Sequence, residues 1–430
     1  MRQLLFLFCV LEVLFVTWLI GTLGPYASPL VLFGLSIGIA ILFLKIATNA
    51  GEVRPAPKVL LPPRVLVIVQ WVLFFALSYH IFASLKHIWW YEITYHEGRN
   101  GGSDVIPQIT ALVQRFLRGE QPYYAIQFAE YTLYPTYLPL QWLPYIPLEL
   151  AHKDYRWVPT FAMWGAGLWF FLRNRKTGAG LLWDLLVPIW PLVLWAVFIP
   201  HDNRMFLFSV EGLIAAYYFF VAESLRWQRV WAIALSVAVC LLSRYSIVFW
   251  VPLCLLLHFV AGKRRDVLII AITAIVFFVM LYWLPFLRRD ASIFINGYTY
   301  HTNAARDEWL RDMATHQGQV YLNNGLGFTS FAIRLLPGDV GHALLLYKNV
   351  HIAMCILTVL VLALVYMRRT HSYPLYPYLL FSFKVYLAVF YAFIQIPYKY
   401  LFFVPVVVSV ALLGGAFGSG RVKEKQTFIA

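Results

Sequence analysis

Charged side chains are scarce in this chain: Asp, Glu, Lys and Arg together make up only 13% of it, about half the share carried by soluble globular domains. So little charge excludes an ordinary water-soluble fold for 430 residues. Paired cysteines are also missing. The four present, Cys9, Cys240, Cys254 and Cys355, all lie inside apolar runs, where a thiol reads as a small buried hydrophobe rather than a disulfide partner or metal ligand. No His-x-x-x-His or Cys-x-x-Cys spacing occurs, so zinc signatures are absent. No metal site and no cofactor is expected, with only a divalent cation left open. Internal repeats, low-complexity tracts and a separable soluble domain are lacking too, so residues 1–430 are expected to form one domain.

What the chain has in abundance is apolar sequence. Hydrophobic residues make up 61% of it, mean hydropathy is +0.70, and apolar runs recur near the roughly 20-residue length that spans a bilayer. The expected fold class is an all-α polytopic membrane protein. The formal charge of +14 would suggest nucleic acid in a soluble protein. Here the basic residues bracket apolar runs, which suits anionic lipid headgroups and the positive-inside rule. Membrane lipids are therefore expected partners and nucleic acid is not.

The run at residues 4–20 follows Arg2 like a signal peptide. Gly24-Pro25 offers no small-residue cleavage site, however, and a second apolar run at 30–44 follows at once. Both are expected to be retained as spans. Residues 45–64 carry Lys45, Arg54, Lys58 and Arg64 against Glu52 alone, which places this loop inside and residues 87–153 outside. Further short basic loops lie at 173–176, 226–229, 263–265, 368–369 and 421–425. If all are inside, only one crossing separates the first outer loop from Arg173. The better candidate is 154–172. Residues 131–150, broken by Pro135, Pro139, Pro144 and Pro147, are then expected to lie at the interface. The remaining spans are expected at 65–85, 181–199, 205–222, 231–242, 247–260, 267–286, 342–366, 375–394 and 400–413. This makes about twelve, with both ends inside. A second outer loop at 287–341, with glycines at 318, 325 and 327, reads as a mobile cap.

Asp104 is the first candidate for chemistry. It precedes a helix with Ile109, Leu112 and Phe116 on one face, the pattern of an interfacial helix. A carboxylate there is a favoured N-cap, and the same group can serve as a base. Asp104, Gly119 with Pro122-Tyr123, Tyr134-Pro135-Thr136 and Leu143-Pro144 follow in an order that resembles the GT-C glycosyltransferases, most closely their polyprenol-phosphate-mannose-dependent branch. The resemblance covers about residues 104–252. Thr136 stands where that branch has a second proline, and Glu211-Gly212 where it has Gly-Gln.

The resemblance implies two juxtamembrane helices in the first outer loop and Asp104 as general base. It also implies a polyprenyl-phosphate-linked sugar as donor, a lipid or glycan as acceptor, and an inverting displacement. The expected location is a bacterial inner membrane, with the site facing the periplasm. A departing phosphate calls for cations, for which Arg204, Arg244 and Lys399 are candidates, although Lys and Arg at span ends commonly snorkel to the interface. His201, Asp202 and His301 are candidates for a second catalytic or acceptor-binding role; an outer-loop histidine is more often a hydrogen-bonded loop residue. Tyr123, Tyr134 and Glu211 are expected to line the substrate cavity, with interfacial anchoring the alternative for the tyrosines. Intramembrane Glu211, Lys348 and Lys384 are costly to bury and should face a cavity or each other. A lipid-linked-sugar flippase and a non-catalytic subunit of an envelope-polymer complex remain as alternative functions.

Overall fold

The computed structural model describes residues 1–19, 22–49, 62–85, 104–128, 131–177, 179–201, 209–315, 322, 326–336, 338–370 and 372–418, with His201 by its backbone alone. Among these residues the chain is a helical membrane protein. Eight helical stretches are long and apolar enough to cross a bilayer: Arg2–Leu19, Gly24–Thr48, Pro63–Ser84, Leu181–Pro200, Arg264–Leu287, Val340–Arg368, Leu375–Ala392 and Lys399–Gly418. Each coincides with an expected span.

The other four expected spans are also helical, but none meets both requirements. Helix α7, Trp157–Asn174, mixes its apolar residues with polar ones. Helix α9, Glu211–Trp227, begins six residues later than the run at 205–222. Val230–Leu241, α10, has 12 residues and so reaches only about 18 Å of the roughly 30 Å hydrocarbon layer. Tyr245–Val260 is similarly short. Eight spans are therefore supported by length and composition. An apolar run marks burial, and a short helix can be buried among its neighbours as readily as in lipid.

Between Pro63–Ser84 (α3) and α7 lies the expected interfacial region. Its first helix is α4, Val105–Leu117, which buries Ile106, Ile109, Leu112 and Val113. It ends in a Schellman turn: Gly119 adopts φ +74°, its N–H donates to the Phe116 carbonyl and the Glu120 N–H to Arg115. The second expected juxtamembrane helix is instead three short turns, Pro139–Trp142 (α5), Leu143–Tyr145 and Ile146–Leu150 (α6). Prolines lack the N–H that a continuous helix needs. Sequence patterning also missed a small ribbon within this all-α fold, β1 at Ile126–Gln127 and β2 at Thr132–Leu133, paired Ile126 with Leu133 and Gln127 with Thr132. The described part of the second loop is docked rather than free. In helix α13, Ser292–Thr315, buried Trp309 donates its indole N–H to the Gln395 carbonyl, and the Phe328 N–H donates to the Ala392 carbonyl.

The bundle is tied at its centre by charge. Lys384 on α16, Leu375–Ala392, lies 2.7 Å from Glu12 Oε1 and also donates to Ser36 Oγ at 3.2 Å and the Pro405 carbonyl at 2.8 Å. Glu12 in turn accepts from Ser36 and, at 2.6 Å, from Ser409. Both charges are 0% exposed. From the sequence, Lys384 is expected to face a cavity, Glu211 or Lys348; its partner is instead Glu12, 372 residues away in the chain. Removing one member of a buried pair strands the other at a cost of about 3–5 kcal/mol. Glu12→Ala should therefore lower the unfolding midpoint of the detergent-solubilised protein sharply, while Glu12→Leu with Lys384→Met should recover most of the loss. Equal destabilisation by the single and double variants would refute this role.

Candidate functional site

Asp104 at the start of α4 and the Arg244–Glu211 pair at the start of α9 both act on Tyr137. Asp104 occupies the N-cap position of α4, yet its side chain makes no capping bond. Its backbone sits at φ −75°, ψ −5°, already helical, whereas capping uses an extended residue whose oxygen can fold over the first free N–H groups. The exposed carboxylate instead accepts a hydrogen bond from the Tyr131 hydroxyl at 3.0 Å. The ribbon holds Tyr131 there: its carbonyl accepts from the Phe128 N–H, and its ring stacks on Phe128 at 5.1 Å.

Three further phenols share the field of Asp104. Burial pushes the Tyr137 phenol well up, with Asp104 and then Glu211 adding to the shift and Arg244 opposing it. Tyr300 of α13 is raised by burial, then by Asp104 and Asp307. Tyr398 is pushed up to about 12 by burial, Glu308 and Asp104, with Arg311 opposing. All three phenols are raised and so stay protonated at neutral pH, as O–H groups within the electrostatic reach of Asp104. These residues come from the first loop, from the second and from the connection after α16.

Tyr137 also links this cleft to a second charged group. Arg244 embraces Glu211 bidentately, one bond at 2.7 Å to Oε2 and the other to Oε1. Glu211 is buried. Beyond the pair, Ser246 Oγ lies 3.3 Å from the Tyr391 hydroxyl and 2.5 Å from that of Tyr218. Gly212 has a packing reason for being glycine, since a Cβ there would come within 2.8 Å of Pro159 Cβ. Gly297 is similar: a Cβ would lie 3.0 Å from the Pro135 carbonyl, so its absence lets the two loop segments touch.

The structure brings some expected site residues together and separates others. Asp104, Glu211 and Arg244 belong to one polar region, but Arg244 is already neutralised by Glu211. Tyr134 is partly exposed, its ring 6.4 Å from Tyr300. Lys399 is half-buried on the turn Lys399–Phe402, flanked by Tyr398 and Tyr400, whose rings stack at 5.2 Å. Tyr123 is instead a core residue: its hydroxyl accepts from the Trp142 indole at 3.1 Å, and its ring packs on Tyr282 and Phe286. His301 is exposed on α13. Lys348, expected within the membrane, donates to Thr302 at 3.2 Å and lies over the Tyr298 ring. His201 lies at the end of Leu181–His201 (α8); its side chain, Asp202 and Arg204 lie outside the described residues. Among the described residues no three His, Cys, Asp or Glu side chains cluster as a metal site would require.

Sequence reasoning missed Tyr131, Tyr137, Tyr300 and Tyr398. With 27 tyrosines in the chain, no local pattern singles these out. Comparison with protein-family models, curated proteins and solved structures finds no match for this chain.

The two charged groups differ in what they hold together. Arg244→Met leaves Glu211 buried and unpaired and should cost about 3–5 kcal/mol. Tyr131→Phe removes one exposed hydrogen bond and should cost less than about 1 kcal/mol. Unfolding midpoints in one detergent separate them, and similar losses for both would contradict the assignment.

Proposed function

We propose that the chain is an integral membrane glycosyltransferase of GT-C-like type. It transfers a monosaccharide from a polyprenyl-phosphate donor to a hydroxyl of a lipid or glycan acceptor. The observation that carries this reading is the exposed Asp104 carboxylate, which makes no capping bond and is held by the Tyr131 hydroxyl at 3.0 Å, with Tyr137, Tyr300 and Tyr398 within its electrostatic reach. A carboxylate with that freedom can take a proton from an acceptor hydroxyl.

In the proposed step Asp104 accepts the acceptor's proton as its oxygen attacks the anomeric carbon. The bond from that carbon to the phosphate oxygen breaks, and polyprenyl phosphate departs with the electron pair. The anomeric centre inverts. Tyr137, Tyr300 and Tyr398 orient hydroxyl-bearing substrate by hydrogen bonding and ring contact. Arg244 acts on Tyr137 and Arg311 on Tyr398, and Lys399 follows Tyr398 in the chain; these are the candidate cations for the departing phosphate, Arg244 while remaining paired to Glu211. The topology that accompanies this reading has twelve spans, both ends inside, and the cleft on the outer face of a bacterial inner membrane.

The test is transfer of labelled sugar from polyprenyl-phosphate donors into a membrane lipid extract by purified protein. Wild type should transfer, and Asp104→Asn, with an unchanged unfolding midpoint, should lose about 10²–10⁴-fold in rate. Equal transfer by both would remove Asp104 from the chemistry. Donor binding without transfer by either would favour a flippase or a non-catalytic subunit.

A further inference from the structure

The opposite, basic end of the bundle carries a second built feature. Arg64 stands in the first turn of α3, and Lys176 lies in the turn between α7 and α8. Buried hydrogen bonds hold the Lys176 backbone on both sides. Gln70 Nε2 donates to the Arg175 carbonyl at 2.7 Å and to the Asp184 carbonyl at 2.6 Å. Asp184 Oδ1 accepts from the Thr177 N–H and hydroxyl, both at 2.6 Å. Gln70 and Asp184 are buried, so the turn that presents Lys176 is anchored to the helix that presents Arg64.

Beside the two cations lies an open surface pocket of about 470 Å³ lined by Pro63, Arg64, Val67, Ile68 and Lys176. Among the described residues no acidic side chain lines it. Along α3 from the pocket, Ile68, Val72, Phe75 and Tyr79 are between 59% and 77% exposed. Their spacing of four, three and four residues places them in one stripe, on a helix long and apolar enough to cross a bilayer.

We infer that this pocket binds an anionic phospholipid of the surrounding leaflet. The phosphate would lie between Arg64 and Lys176, with one acyl chain along the stripe. The two positive charges select against a zwitterionic headgroup, whose ammonium they repel, and the apolar track selects against a soluble anion. This site is independent of whatever reaction the other end performs.

Native mass spectrometry of the full chain, titrated with phosphatidylglycerol or phosphatidylcholine of matched chains, tests the inference. At roughly fivefold per basic residue, two cations should favour phosphatidylglycerol by about 30-fold. Arg64→Gln with Lys176→Gln should abolish the preference, and Ile68→Asn should weaken retention of both lipids. Arg264→Gln with Arg265→Gln, which removes the same charge elsewhere, should leave the preference intact. If the double variant at the pocket is misfolded, Lys176→Gln alone, an exposed loop change, should still reduce the preference about fivefold. The inference is overturned if both charge-removing pairs act alike, if the pocket variants keep the preference, or if millimolar inorganic phosphate displaces phosphatidylglycerol.

Discussion

Everything at the loop end depends on an ion pair near the bundle's centre. Lys384 and Glu12 are fully buried, and an unpaired charge at such a depth would be expelled or neutralised. Glu12 belongs to α1, Arg2–Leu14, Ser36 to α2, Gly24–Thr48, Lys384 to α16, and Pro405 and Ser409 to α17, Phe403–Gly418. Four helices are thereby locked in one register. Seven residues beyond Lys384, α16 delivers Tyr391 to Ser246, and α17 starts just past Tyr398 and Tyr400. The central network thus sets where several cleft residues stand, although it touches none of them.

The cleft extends the same logic to weaker interactions. Its two acidic groups differ in environment, and hence in what they can do. Glu211 is buried and bidentately paired with Arg244, an arrangement that holds α9 against the turn before α11, Trp250–Val260. Asp104 is exposed and held by one tyrosine hydroxyl, which a ligand hydroxyl can replace at little cost. Burial separates the two: Glu211 is fixed in a salt bridge, and Asp104 is exposed with the Tyr131 hydroxyl as its partner.

The two ends of the bundle contrast in charge. One gathers tyrosines, two acids and the docked second-loop helix. At the other, Arg173 lies over Trp169 and Trp227, Arg226 pairs with Glu223 and donates to Asn174 at 2.8 Å, and Arg64 and Lys176 flank a lipid-sized pocket. Aromatic and apolar partners let these cations remain near the bilayer edge.

Apolar run length and sparse charge in the sequence were enough to determine a helical membrane protein and to locate its eight long spans, because crossing a bilayer demands about 20 uninterrupted apolar residues wherever they occur. Asp104 read as a cap from its place before an amphipathic helix, and as a candidate base only through the resemblance to the GT-C glycosyltransferases. Only the tertiary structure decided that it does not cap that helix, that Tyr131 holds it instead, that Tyr123 is core, and that Glu12 answers Lys384. Each of those outcomes turns on a contact between residues far apart in the chain or on one backbone angle. Periodicity reports which face of a segment is apolar, and it carries no information about which distant side chain that face will meet.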